Sequence, residues 1–233
     1  KCFGAVVTSA TLTALNQFHR FNMRSGVPKE SEYLRVISPF DFNGKGKLVV
    51  PDMANEPNRA DLHTGEIIEY LNDKVEPQKA SLVLFSSRKQ MEEVAQSVSA
   101  GLQEILLIQG EQSKRVILDS HKAKIDEGKG SLLFGLASFA EGVDLPGDYL
   151  TCVYIAKIPF AVPDDPVEAT LAEWIQKRGG NPFMEITIPD ASLRLVQATG
   201  RLLRSETDSG EIHILDKRLK TKRYGSQLIN SLP

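Results

Sequence analysis

The stretch Gln197–Arg204, QATGRLLR, follows an apolar run that begins after Asp190. On a helix turning about 100° per residue, Gln197, Gly200, Arg201 and Arg204 fall at i, i+3, i+4 and i+7 and share one stripe, while Leu195, Leu202 and Leu203 face away. Two guanidinium groups beside a glutamine amide suit a planar, multi-oxygen anion such as a phosphate, because each guanidinium presents a rigid fork of donors. Gly200 strengthens the pattern. A glycine inside a helix costs about 1 kcal/mol relative to alanine, and its missing Cβ on the charged face lets a ligand or another chain come close. The plainer reading of the stripe is the solvated face of an amphipathic helix.

A second constellation, Phe134–Asp148 (FGLASFAEGVDLPGD), continues from a short apolar run that reads as a buried strand. The carboxyl edge of a parallel sheet is where open α/β folds bind ligands, and Glu141, Gly142 and Asp144 fall there. Carboxylates at such a place accept hydrogen bonds from a ribose hydroxyl, a metal-bound water or neighbouring arginines, although the same residues also make ordinary turns. In a third, Ser81–Arg88 (SLVLFSSR), a strand ends in two hydroxyls before a helix. Ser86 or Ser87 caps that helix. The free N–H groups, the positive helix end and Arg88 also form a holder for a nucleic-acid phosphate. Gln109–Gln112 (QGEQ) repeats the strand-to-helix layout one unit later.

Lys217–Arg223 (KRLKTKR) carries Lys217, Arg218, Lys220, Lys222 and Arg223. It reads either as a solvated face or as an attractor of polyphosphate. Trp174, the one tryptophan, reads as a packing residue of its helix. The four histidines, His19, His63, His121 and His213, share no metal-ligand spacing, and Cys2 and Cys152 form no C-x-x-C pair. No metal site is expected. No G-x-S-x-G elbow occurs, and the Gly–Lys cluster of interest, Gly128–Ser131, precedes a strand instead of following one, so this chain has no phosphate loop of its own.

Stepwise alternation of short apolar runs with helical periodicity sets the frame that must position these groups. Strands are expected at Ala5–Val7, Lys47–Val50, Ser81–Phe85, Glu104–Ile108, Ser131–Leu136, Cys152–Ala156 and Glu211–Leu215. Helices are expected at Leu12–Met23, Leu62–Val75, Arg88–Val98, Lys114–Asp126, Pro166–Lys177, Ala191–Arg204 and Arg218–Leu232. The order predicts an α/β fold in three layers, a mostly parallel central sheet flanked by helices. Prolines in 159–166 and glycines in 178–182 bracket one helix as an insertion at about 159–190. The 233 residues, 41% hydrophobic and 25% charged, suit one large globular unit, and the net charge of -2 means that nucleic acid must meet a local basic face. No apolar run is long enough for a membrane span, and a reducing cytoplasm is the expected setting. The absence of an initiating Met points to a piece of a longer polypeptide.

Taken in order, TSATL (8–12), SPF (38–40), LVLFSSR (82–88), SFAEGVDLPGD (138–148) and QATGRLLRS (197–205) resemble the later motifs of superfamily 2 helicases, specifically the DinG branch of the XPD-type DNA helicases. DKRLKTKRYG (216–225) is similar to that branch too, and the resemblance covers nearly the whole chain. It implies the second, carboxyl-terminal RecA-like motor domain over 13–233, with 1–12 a remnant of the last strand and motif III of the first. The implied protein is an ATP-driven 5′ to 3′ DNA helicase of repair or replication. ATP with Mg2+ would be bound mainly by the first domain, which would also carry the Walker boxes and any iron–sulfur cluster. By the same resemblance Arg201 and Arg204 are arginine fingers on the γ-phosphate with Gln197 assisting. Glu141, Gly142 and Asp144 face the nucleotide, and Ser87, Arg88, Gln109 and Ser138 hold DNA phosphates. The expected partners are single-stranded or forked DNA and the first motor domain of the same polypeptide. The rival expectations are an RNA helicase motor domain and a non-catalytic nucleic-acid-binding α/β module.

Overall fold

The computed structural model describes residues 4–9, 11–36, 44–140, 142–161, 165–203 and 206–232. Six strands, β1 (Gly46–Val49), β2 (Ala80–Phe85), β3 (Leu106–Ile108), β4 (Ser131–Leu136), β5 (Cys152–Ile155) and β6 (Gly210–Ile214), form one sheet in the order β1-β6-β5-β2-β4-β3. Every pairing is parallel, so all the carboxyl ends of the strands share one edge. Parallel strands need crossovers, and the helices supply them. They are α1 (His19–Ser25), α2 (Ala60–Lys74), α3 (Arg88–Ser97), α4 (Ala100–Ile105), α5 (Lys114–Asp126), α6 (Ala137–Ala140), α7 (Pro166–Lys177), α8 (Ile188–Thr199), α9 (Arg218–Thr221) and α10 (Arg223–Ile229).

Both faces of the sheet are covered, which explains why β2 is buried at every position. Side chains alternate along each strand. Leu82, Leu84, Val153 and Ile155 point to the layer of α5, α8 and α10, where they meet Ile117, Leu195, Ala198 and Leu228. Val83, Phe85, Phe134 and Tyr154 point to the other layer and pack on Ile67 and Leu71 of α2 and on Met91 and Val94 of α3. Each fully buried Leu, Ile or Phe contributes about 1.5–3 kcal/mol, so these two cores hold the layers together. The chain passes from β2 outward to β3 and β4, then crosses over β2 to β5 and β6. The carboxyl end of β2 is therefore the switch point of the sheet.

Several expected elements come out differently. Ala5–Val7 is no strand. Val6 is 89% exposed, and no ladder among the described residues satisfies the backbone there, so β-propensity alone does not make a strand. Glu104 and Ile105 belong to α4, which runs directly into β3. The helix expected from Leu12 begins only at His19, because Leu15 and Asn16 adopt left-handed φ values of 51° and 63°. The helix expected at 191–204 starts at Ile188 after a π-helical turn, Phe183–Thr187, and stops at Thr199. The last helix is divided at Lys222, whose ψ of 146° is extended. SPF at 38–40 lies outside the described residues.

Candidate functional site

A cavity of about 270 Å³ opens at the switch point. Ser86 beyond β2, Ala137 and Ser138 beyond β4, and Lys157 and Pro159 beyond β5 form its floor and sides. Arg194, Gln197, Ala198 and Arg201, from α8 and the turn after it, form the remaining wall. Among the described residues the lining contains three cationic side chains and two serine hydroxyls but no carboxylate. Such a donor set suits phosphate oxygens. It does not suit a divalent cation, and no group of three or more potential ligands exists among the described residues.

Arg201 Nη1 donates to the carbonyl of Val143 at 3.2 Å, which ties the guanidinium to the Gly142–Asp144 loop. Gly142 takes a left-handed φ of 69° with open space around it, and Asp144 is exposed. The fold thus brings together Gln197, Arg201, Gly142 and Asp144. Gln197 Nε2 donates to Thr11 Oγ1 at 3.4 Å. Arg204 and Glu141 lie outside the described residues.

The stripe inferred from sequence needs correction. The helix ends before Gly200, which is its C-cap, and a Cβ there would sit 3.0 Å from the Val196 carbonyl. Gly200 stands at the end of the helix with φ of -66°, outside any continuous helical stripe. Arg201 reaches the cavity from a turn and not from a helical stripe.

The residues expected at DNA divide. Ser138, exposed on α6, lines the cavity beside Gln197 and Arg201. Ser87 caps α3, its Oγ accepting from Gln90 N–H at 3.4 Å. Arg88 is 55% exposed, 3.9 Å from Glu92, and its Nη1 lies close enough to Gly110 to stand 3.0 Å from a Cβ built there. Gly110, with φ of 103°, therefore lets the guanidinium settle over the 109–110 turn. Gln109 Oε1 accepts from Leu136 N–H at 2.7 Å and so closes the end of the β3–β4 pair. Arg88 and Gln109 form a second group on the same sheet edge, outside the cavity lining.

Two cavity residues carry no mark in the sequence. Lys157 stands just past the end of β5, a position that the carboxyl-edge rule flags once the strand is known. Burial pulls its ammonium below the usual lysine range and Arg218 pulls the same way, while Asp216 opposes them. Arg194 lies one helical turn before Gln197 and donates to the Pro159 carbonyl at 3.3 Å. The basic run is in part a solvated face, with Lys220, Lys222 and Arg223 exposed, and three of its cations pair with carboxylates. Lys220 pairs with Asp52 at 2.6 Å, Lys222 with Glu56 at 2.9 Å and Arg218 with the buried Asp216 at 2.7 Å, while Lys217 donates to the Ala54 carbonyl. It staples the end of the chain to the 52–56 loop. Trp174 is 47% exposed, with the Arg178 guanidinium 4.0 Å from its ring, so it packs on the surface. Cys152 is buried, and desolvation pushes its thiol up to about 11, which makes it a poor nucleophile.

Comparison with known proteins shows the family and the fold. The chain is 46% identical to the ATP-dependent DNA helicase DinG of Photobacterium profundum over 99% of its length and 34% of the relative's. It is 40% identical to the ATP-dependent DNA helicase DinG of Escherichia coli (strain K12), covering 98% of this chain and 32% of that protein. It therefore spans about a third of the length of these relatives. Among solved structures, "XPD_APO" superposes with a TM-score of 0.60 at 20% identity, over 79% of this chain and 39% of that one. "Structure of S. tokodaii Xpd4" gives 0.57 at 15% identity, over 84% and 39%. These two likenesses show a shared RecA-like fold. The model of the helicase C-terminal domain matches residues 70–233, so this chain, whose cationic cavity lies at the carboxyl edge of its parallel sheet, belongs to the helicase C-terminal domain family.

Proposed function

We propose that this chain is the carboxyl-terminal motor domain of an ATP-dependent DNA helicase that moves 5′ to 3′ on single-stranded DNA in repair or replication. The observation that carries the reading is the cavity itself, with Lys157, Arg194 and Arg201 around one space at the switch point of the sheet and no carboxylate among its described lining residues. A phosphate chain brings several negative charges and oxygen acceptors, and a preorganised cationic wall stabilises charge gathering on them during transfer.

Arg201 and Gln197, with Arg204 beyond them in sequence, would hold the terminal phosphate of ATP, and Gly142 and Asp144 would flank the nucleotide together with Glu141. The triphosphate supplies the free energy of hydrolysis when bound. The phosphate loop and the Mg2+ ligands would belong to the preceding motor domain, since the donor set here suits anions. Ser138, Ser87, Arg88 and Gln109 would grip DNA phosphates along the same sheet edge. Closing the gap between the two motor domains would bring Arg201 onto the phosphate, and opening it would release the grip by a step. Work on DNA would put the protein in the cytoplasm. No helix among the described residues is long and apolar enough to cross a membrane.

The test is strand separation by the whole protein on duplexes with a 5′ DNA tail, a 3′ DNA tail or an RNA tail. ATP-dependent unwinding confined to the 5′-tailed DNA is expected. Activity on RNA tails alone would instead make the protein an RNA helicase, and binding without ATP turnover would make this chain a non-catalytic module.

A further inference from the structure

Helix α8 carries Gln197 near its carboxyl end and leads directly into Arg201. Its amino-terminal turn is held by an unusual cluster. Arg20 of α1, only 2% exposed, donates through Nε to Asp190 Oδ1 at 2.7 Å and through Nη2 to Asp190 Oδ2 at 2.8 Å. The same Nη2 donates to Glu168 Oε2 of α7 at 2.7 Å, and Arg24 approaches the other oxygen of Glu168 at 3.5 Å. One guanidinium thereby joins three helices. Between Arg20 and the chain start, the Leu15 N–H donates to Ser192 Oγ at 3.1 Å, and Asn16 Nδ2 donates to the Asn230 carbonyl at 3.1 Å. These contacts hold Leu15 and Asn16 in their left-handed conformation. That conformation carries a strain of about 1–2 kcal/mol per residue. The segment thus follows α8 antiparallel, past Ser192 to Asp190.

A buried ion cluster adds little stability over a well-packed apolar equivalent, because desolvation of the charges offsets their attraction. What it adds is direction: a bidentate guanidinium–carboxylate pair fixes both the distance and the plane of its partner. Here the fixed partner is the first turn of α8. From Asp190 to Gln197 the helix runs about 10 Å at about 1.5 Å per residue, so a tilt at the anchored turn becomes a displacement of the amide at the cavity.

We propose that Arg20 is a positioning residue for the phosphate-facing wall: the Arg20–Asp190–Glu168 cluster sets the orientation of α8 and hence the place of Gln197 and Arg201. The inference rests on the motor-domain reading above. Arg20 is 170 positions from Asp190 in sequence and is not among the cavity-lining residues, so it acts through α8.

The test compares Arg20→Lys and Asp190→Asn with Arg201→Ala in the whole protein, by single-stranded-DNA-stimulated ATP hydrolysis, DNA binding and thermal unfolding. Lysine keeps the charge but cannot make the paired contact, and asparagine leaves one acceptor oxygen. A misplacement of about 1 Å can cost up to about 10²-fold in rate, so kcat is expected to fall roughly tenfold or more in both variants. KM for ATP and DNA affinity should stay close to wild type, while the thermal midpoint falls by several degrees, since breaking a buried ion pair is destabilising. Wild-type kcat in both variants, with Arg201→Ala inactive, overturns the positioning role and leaves the motor reading intact. A parallel fall of kcat and DNA affinity, measured below the midpoint of either variant, also overturns it, because the cluster would then be purely structural. Full turnover in Arg201→Ala refutes the motor reading itself.

Discussion

Replacing Arg201 with alanine separates a catalytic role from a structural one, because the two roles differ in magnitude. In the fold, Arg201 is half-buried and its Nη1 donates to the Val143 carbonyl at 3.2 Å. Loss of a contact of this kind costs about 1 kcal/mol, which in a domain of this size moves the thermal midpoint by about 2–4 °C. A guanidinium that meets charge developing on a transferring phosphoryl group is instead worth about 10³–10⁵ in rate, or about 4–7 kcal/mol. The expected result is therefore a fall of at least about 10³ in kcat at saturating ATP and single-stranded DNA. DNA affinity should remain within about twofold and the midpoint within a few degrees, given a free-energy change near about 1 kcal/mol. Arg201→Lys should recover only part of the loss, since a lysine ammonium has charge but no planar fork. Phosphate release, fluorescence anisotropy on a labelled oligonucleotide and a thermal scan together check this. A fall in kcat of less than about tenfold, equivalent to about 1.4 kcal/mol, refutes the assignment. So does an equal loss of DNA affinity.

The other expectations concern the grip, the packing and the pH response. Arg88→Ala should lower the slope of log affinity for single-stranded DNA against log salt by about 0.7, with kcat at saturating DNA retained; an unchanged slope would remove Arg88 from the DNA contact. Gly130→Ala should lower stability by about 1–3 kcal/mol or more, because a Cβ there would stand 1.9 Å from the Pro77 carbonyl oxygen. Gly65→Ala, inside α2 with nothing within 4 Å, should raise stability by about 0.5–1 kcal/mol in denaturant titration. His121 is fully buried, its Nε2 bonded to the Tyr149 carbonyl at 2.6 Å and its Nδ1 without a partner among the described residues. Burial lowers its pKa in the folded state, as it does for His63 and His213. The unfolded chain therefore takes up protons first as the pH drops, so this stability is complete above about 6.5 and declines as pH falls below it. The thermal midpoint should drop between about pH 7 and pH 5, and His121→Gln should flatten part of that drop. A level profile in the wild type would contradict the buried neutral imidazole.

Much of the fold is legible in the chain. The strand at Ser131–Leu136 and the helices at Lys114–Asp126 and Pro166–Lys177 have the expected bounds, since a run buried on both faces and a helix closed by a cap leave local marks. Ser113 caps α5 by accepting from Val116 N–H, and Asp165 caps α7 by accepting from Val167 N–H. Ala5–Val7 has the composition of a strand without being one, because a strand requires a neighbour that local composition does not reveal. The end of α8 falls earlier than its pattern suggests because the apolar period runs on through Leu202, which is buried from a turn instead of a helix.

The amino-acid order by itself determined the alternation of strands and helices, the parallel sheet and the candidacy of Gln197 and Arg201, since periodicity, capping and side-chain chemistry are local properties; Ser138 entered only through the resemblance to the helicase motifs. Only the tertiary structure decided that Lys157 and Arg194 join them around one cavity, that Asp52, Glu56 and Asp216 pair with Lys220, Lys222 and Arg218 of the basic run, and that a buried Arg20 anchors α8. The reason is physical. Those facts depend on which strand ends become neighbours when crossovers close the sheet, and a contact between residues far apart in the chain, such as Arg20 with Asp190 or Asp52 with Lys220, leaves no trace in any local period.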